Sequence, residues 1–333
     1  MTNKAKTLNY LMKNRHLTMP ILSFPSIQLT GITVKELVHS SELQAQGMKE
    51  IAKRCPTSVA VNMMDLSVEA EAFGAHVKFR EDEPPAVISH PVKTLLDAKN
   101  LKVPKFGTKR TKIYVEAIKK AKKLIPDRLV FAGVIGPFSL AGNLMGMTDL
   151  MLNCHIEPEI VNLTVKKATQ YLIEYVKEFK KSGADGIVIA EPVAGLLSPI
   201  FSYDFSAVYV NEIIAAVCDE DFICVYHNCG NTIPQAHYIK KINADIYHFG
   251  NVINLKEILE IMPEDKIIMG NIDPAAIIRN GTPELITKKV TALLKECSSH
   301  PNFIISSGCD IPPDTSWENI DAYFKAITDY FNK

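Results

Sequence analysis

The sequence predicts an α/β fold of the (β/α)8 TIM-barrel class with an N-terminal helical extension, and three observations predict it. From residue 129 onward, apolar runs and amphipathic stretches alternate through six units. The runs are continuously apolar, as expected of parallel strands covered on both faces. Two more apolar runs upstream, PILSF (20–24) and SVAVNMM (58–64), are each followed by a helical pattern and bring the count to eight.

The elements follow in order. Residues 1–18 read as a helical cap. LVFAGVIG (129–136) leads into a long helical stretch that includes 161–183, and ADGIVIAEP (184–192) into a helix over 203–217. FICVYHNC (222–229) is followed by a helix from about Pro234, and ADIYHFG (244–250) by LKEILEIM (255–262). KIIMGNID (266–273) precedes PELITKKVTALLKEC (283–297), and FIISSGCD (303–310) precedes a closing helix at about 316–331. A barrel of this kind needs about 250 residues. The 333 present leave room for the cap and for an insertion at 75–107, all within a single domain over 1–333. A doubly wound open sheet is the alternative, but PILSFPSIQLTG lacks the Gly-rich phosphate loop expected after its first strand.

Composition narrows the function classes. The chain is 47% hydrophobic and 22% charged, with 37 basic and 37 acidic residues. A net charge of zero gives no reason to expect nucleic acid or an anionic membrane as partner. The N-terminus is polar and basic without the apolar core of a secretion signal, and no apolar run approaches the roughly 18 residues of a bilayer span. A cytoplasmic location is expected. Seven scattered cysteines make a poor disulfide framework, so most read as buried free thiols.

Chemistry in such a barrel sits at the C-terminal ends of the strands. Polar residues gather there: Asp65, Glu191, His227, Cys229, His248, Asn271, Asp273, Cys309 and Asp310. In YHNC, His227 and Cys229 stand two apart and therefore face the same side of a strand, whereas Cys224 faces the other. Cys309 lies at the corresponding end of the last strand, so all three side chains can converge over the barrel mouth. One imidazole and two thiolates suit zinc, and three protein ligands leave one position open, as in catalytic sites. Such an electron-rich ion binds a substrate thiol well and holds it as the thiolate, a nucleophile towards a methyl carbon. Water activation for hydrolysis ranks lower. His237 reads as a surface residue, Glu69 as facing the cleft and Glu71 as solvated.

The chain also resembles a known superfamily, uroporphyrinogen decarboxylase and the cobalamin-dependent methyltransferases related to it. The resemblance spans nearly the whole chain through MMDLSVEAEAFGAHVKF (63–79), GPFSLA (136–141), YHNCG (226–230), GNIDP (270–274) and SGCDIPPDTSWENI (307–320). Two features separate the branches. The decarboxylases carry an arginine-bearing loop after the first strand, and SFPSIQLTG (23–31) has no arginine. The H-x-C pair with a distant cysteine is similar to the zinc signature of the methylcobamide:coenzyme M (thiol) methyltransferases. That resemblance implies His227, Cys229 and Cys309 as zinc ligands, with Glu191 as a labile fourth ligand. It aligns Asp65 with the catalytic aspartate of the decarboxylases. It implies methyl transfer from methylcobalamin or another methylated corrinoid, carried on a corrinoid protein, to a small thiol such as coenzyme M. His248, Asn271 and Asp273 are expected to face the substrate. Barrels of this kind occur as monomers and homodimers. The alternatives are a tetrapyrrole decarboxylase and a non-catalytic corrinoid- or thiol-binding protein.

Overall fold

Residues 2–332 are described by a computed structural model. Seven parallel strands follow one another around the barrel in sequence order: β1 (Val59–Val61), β2 (Leu129–Ile135), β3 (Gly186–Ala190), β4 (Ile223–Asn228), β5 (Ile246–Phe249), β6 (Ile267–Ile272) and β7 (Phe303–Ser307). Every neighbouring pair in this sheet is parallel, which places the chain connections outside the ring.

The expected first strand, PILSF (20–24), is the main departure. The segment carries no regular secondary structure, turns at Phe24 and lies between β7 and β1 without joining a backbone ladder. Hydroxyl groups hold it instead. Ile21 N–H donates to Ser307 Oγ at 3.1 Å, Ser306 Oγ donates to the Met19 carbonyl at 2.8 Å, and Thr18 Oγ1 donates to the Ile305 carbonyl. Isolated backbone bonds, Ser58 N–H to Thr18 O and Ile311 N–H to Ile21 O, fasten its two ends. The predicted strand 58–64 is likewise regular only over Val59–Val61.

The barrel has an inner and an outer core. Val59, Val61, Phe131, Val188, Ile223, Val225, Ile246, Ile267, Met269 and Ile304 fill the interior. Their spacing of two fixes which face of each strand points inward. The helix Asn3–Lys13 closes the bottom, with Leu11 buried and Leu8 and Met12 packed on this inner core. Lys4 ties the helix down through Asp245 at 3.2 Å.

The outer helices pack on the other faces of the strands. Pro199–Val217 is 19 residues with a mean hydropathy of 1.2, long and apolar enough to cross a membrane, against the expectation of no such run. It turns through a π-helical segment at Tyr203–Ala207 and buries Val210, Ile213, Ile214 and Val217 as the helix of its own barrel unit. The 75–107 insertion forms a small hairpin, Val77–Lys78 against Ala86–Val87, and the helix Leu95–Asn100.

Candidate metal centre

The parity of the strands selects the side chains that meet at the mouth. On β4, Val225 points inward, so His227 and, just past the strand, Cys229 follow it. On β5, Ile246 points inward and His248 lies above it, in register with His227. On β7, Ile304 points inward and Ser306 lies above. Cys309 follows on the turn after β7.

One nitrogen of His227 and the sulfurs of Cys229 and Cys309 all lie within 4.8 Å of one another. Cys309 Sγ is 3.7 Å from His227 Nε2. The imidazole is buried and both cysteines are half-buried, so the cluster has a dry floor and an open side. The facing Cys309 thiol lowers the Cys229 pKa to about 7 against the opposing effect of burial, and Cys229 together with burial raises Cys309 to about 12. A soft N,S,S donor set of this reach fits zinc.

Backbone approaches make room for the cluster. A Cβ on Gly250 would sit 2.4 Å from Cys229 Cα and 2.6 Å from its Cβ. One on Gly308 would sit 2.8 Å from Asn251 N.

Glu191 does not join these ligands. Val188 points inward, so Glu191 is out of phase and turns towards the helix Pro137–Met145. There it is fully buried, accepting from Phe138 N–H at 2.9 Å, Ser139 N–H at 3.0 Å and Ser139 Oγ at 2.7 Å. It caps a helix N-terminus, where backbone donors and the helix dipole favour an acceptor. Burial raises its carboxyl to about 7 despite these donors. The expected labile fourth ligand is therefore a helix anchor.

His248 is also placed differently from expectation. It is fully buried, with Nδ1 at 2.8 Å from His227 Nδ1 and Nε2 at 2.8 Å from Ser306 Oγ. Both ring nitrogens are engaged within the protein, so it does not face a substrate. Burial, and then the neighbouring His227, push its pKa well below the usual histidine value.

Asn271 donates to the Gly250 and Ile253 carbonyls at 3.0 and 2.9 Å. Asp273 caps the turn at Ala275 and Ala276 and accepts from Asn251 at 2.8 Å. These two brace the loop that carries Gly250, rather than presenting free donors or acceptors to the mouth.

Asp65 is fixed by an ion-pair network that the sequence did not reveal. Arg110 Nη1 and Tyr114 Oη both donate to its Oδ2, and Ser67 Oγ and N–H donate to its Oδ1. Arg110 also pairs with Glu71 at 2.7 Å, donates to Ser67 at 2.8 Å and lies over the Phe79 ring. Glu71 is thus paired rather than solvated. Glu69 is buried and bonds the Ile135 N–H at 3.1 Å, so it turns into the protein and away from the cleft. His237 is exposed, as expected.

A cavity of about 480 Å³ opens at the mouth beside Met64 and Asp310. Its charged lining is Asp82, Glu83, Asp310, Asp314 and Arg279, the last paired with Asp314. A neighbouring cavity of about 340 Å³ shares Met64 and Pro84 and reaches Asp65. Larger hollows of about 680 and 740 Å³ lie beneath the barrel and between two outer helices, and His227, Cys229 and Cys309 line none of these four cavities. Asp310 is the acid closest in sequence to the ligands. Its Oδ2 accepts from Met64 N–H at 3.3 Å, and burial followed by Cys309 raises its pKa.

Comparison with known proteins matches the family described as uroporphyrinogen decarboxylase (URO-D) over residues 21–330. A methylcobamide:CoM methyltransferase, MtbA, of Methanosarcina acetivorans is 27% identical over 327 residues, covering 93% of this chain and 94% of the relative. A uroporphyrinogen decarboxylase of Vesicomyosocius okutanii subsp. Calyptogena okutanii is 25% identical over 303 residues, covering 85% and 83%. Among solved structures, a methyltransferase from Methanosarcina mazei superposes with a TM-score of 0.87 at 22% identity and covers 99% of both chains. That likeness establishes the barrel.

Proposed function

Because this chain belongs to the uroporphyrinogen decarboxylase family, which here spans both decarboxylases and corrinoid methyltransferases among its relatives, we propose that it moves a methyl group from a methylated corrinoid to a small thiol. The corrinoid would be presented by a partner protein, and coenzyme M is the first acceptor to test. The observation that carries this reading is the convergence of His227, Cys229 and Cys309 within 4.8 Å at the open end of the barrel.

His227, Cys229 and Cys309 would hold zinc, which would supply a Lewis acid able to keep a thiol with a free pKa of about 8.5 as the thiolate at neutral pH. The chain's own residues do the rest. Cys229, held near 7, gives up its proton readily. The apolar barrel interior below His227 keeps water from approaching the cluster from beneath. The half-exposed sulfurs leave it reachable from the mouth. With zinc held by His227, Cys229 and Cys309, the site would supply an acceptor thiolate for the methyl group of a methylated corrinoid, the thiol proton leaving to solvent at the mouth and the carbon–cobalt bonding pair staying with the corrinoid.

Tetrapyrrole decarboxylation is less well supported. Its substrates carry many carboxylates, which arginine clamps recognise. The 23–31 loop has no arginine, and every group of Arg110 is committed to Asp65, Glu71 and Ser67. The cavity lining adds four acids against one paired arginine.

The deciding assay incubates the purified protein with zinc, methylcobalamin and a panel of thiols and follows the loss of the methyl–cobalt absorption. Turnover with a thiol, together with about one zinc per chain that disappears in Cys309→Ala, is expected. Wild-type activity in Cys309→Ala would overturn the reading.

A further inference from the structure

We infer that His248 is a positioning residue for the metal centre: it fixes His227 in the tautomer whose Nε2, the nitrogen facing Cys309, carries a lone pair and no proton. The inference rests on the metal role proposed for His227, although the tautomer itself requires no ion.

The direction of each hydrogen bond can be worked out from a fixed end. The Met19 carbonyl can only accept, so Ser306 Oγ gives it the single hydroxyl proton at 2.8 Å. Ser306 Oγ then has no proton left for His248 Nε2, 2.8 Å away, and must accept from it. His248 therefore carries its proton on Nε2. A fully buried imidazole is disfavoured as a cation, so Nδ1 of His248 is a bare acceptor. The facing nitrogen, His227 Nδ1 at 2.8 Å, must be the N–H. A neutral His227 with its proton on Nδ1 has an unprotonated Nε2, which is the nitrogen 3.7 Å from Cys309 Sγ.

The relay thus runs from the backbone of Met19 through Ser306 and His248 to His227, and every member is buried. Partners of this kind orient a ligating imidazole and raise its basicity, and removing them typically costs about 10–100-fold in metal affinity. His248 supplies a lone pair where the commoner partners supply a carboxylate or carbonyl oxygen.

Three variants test the inference by two readouts. Two-bond 1H–15N correlation on metal-free, histidine-labelled protein reports which nitrogen of His227 is protonated. Chelator competition reports zinc affinity. Wild type is expected to show the proton on Nδ1. His248→Phe keeps a ring of similar shape without an acceptor, and should lose the Nδ1–H tautomer and about 10–100-fold in zinc affinity. His248→Asn offers its amide oxygen to the same N–H and should restore the tautomer and most of the affinity. If His248→Phe does not fold, Ser306→Ala takes its place. That change leaves both rings but frees His248 to reverse its proton, so mixed His227 tautomers and weaker binding are expected. Wild-type tautomer and affinity in His248→Phe, or in Ser306→Ala in its place, overturn the inference. So does a wild type already protonated on Nε2. A wild type with the Nδ1 proton that binds no zinc would sink the metal reading while leaving the tautomer assignment standing.

Discussion

Glu69 shows how burial alone can set the protonation of a side chain near this site. One of its oxygens accepts from Ile135 N–H, and the other is buried with no hydrogen-bond partner among the described residues. Desolvation raises its carboxyl from 4.5 to about 8, against the opposing pull of two backbone donors. Below the unfolded value both states hold the proton. Between about 4.5 and 8 the folded chain holds a proton that the unfolded chain has lost, so stability falls as pH rises through that window and levels off above it. Glu69→Gln keeps the acceptor for Ile135 and should flatten the slope. Denaturant melts at pH 5 and pH 9 should differ by up to a few kcal/mol more in wild type than in the variant. Equal pH dependence would show that Glu69 is not the group responsible. The same residue scale explains why Asp65 could be found from its place after a strand while its partner could not. Arg110 lies 45 residues away, beyond the hairpin, and nothing in its local sequence marks a guanidinium that will be buried.

At the scale of strands and loops, the candidate ligands are readable because the period of two is strict. The i, i+2 spacing of His227 and Cys229 put both on the inner face once β4 was recognised, and Cys224 fell on the other face. The same rule governs Glu191. Counted from Val188, it falls on the outer face, where only a helix terminus awaits it. His248 did have the right parity, but its register with His227 depends on the pairing of β4 and β5, which no single strand encodes. The loop after β5 must also pass close to Cys229, and Gly250 provides the gap. Gly250→Ala would push a methyl group into the Cys229 backbone. It should weaken zinc binding, measured by chelator competition, by at least about tenfold, while the melting temperature changes by only a few degrees. Unaltered affinity would mean that the loop shifts without disturbing the ligand.

Over the whole molecule, seven of the eight expected staves are paired strands and the eighth is a wall segment without a ladder. Hydrophobicity identifies residues 20–24 as barrel wall, and they are buried as wall. Hydrophobicity does not say whether a segment's amides will find a neighbouring backbone, and Pro20 and Pro25 bring no N–H to a ladder at its two ends. Cooperative units with few backbone bonds open most easily. Amide exchange should therefore be faster at Ile21, Ser58 and Ile311 than within β3 and β4, as measured by hydrogen–deuterium exchange under native conditions. Uniform protection around the ring would contradict this.

The serine at 306 consequently has two duties that a single mutation cannot separate. Its hydroxyl proton rivets an otherwise loosely attached stretch of chain to the cylinder, and its lone pair receives the N–H that orients the imidazoles. On the proposed relay, the firmness of the seam and the metal affinity of the mouth both depend on this one oxygen atom, so the two traits would move together there.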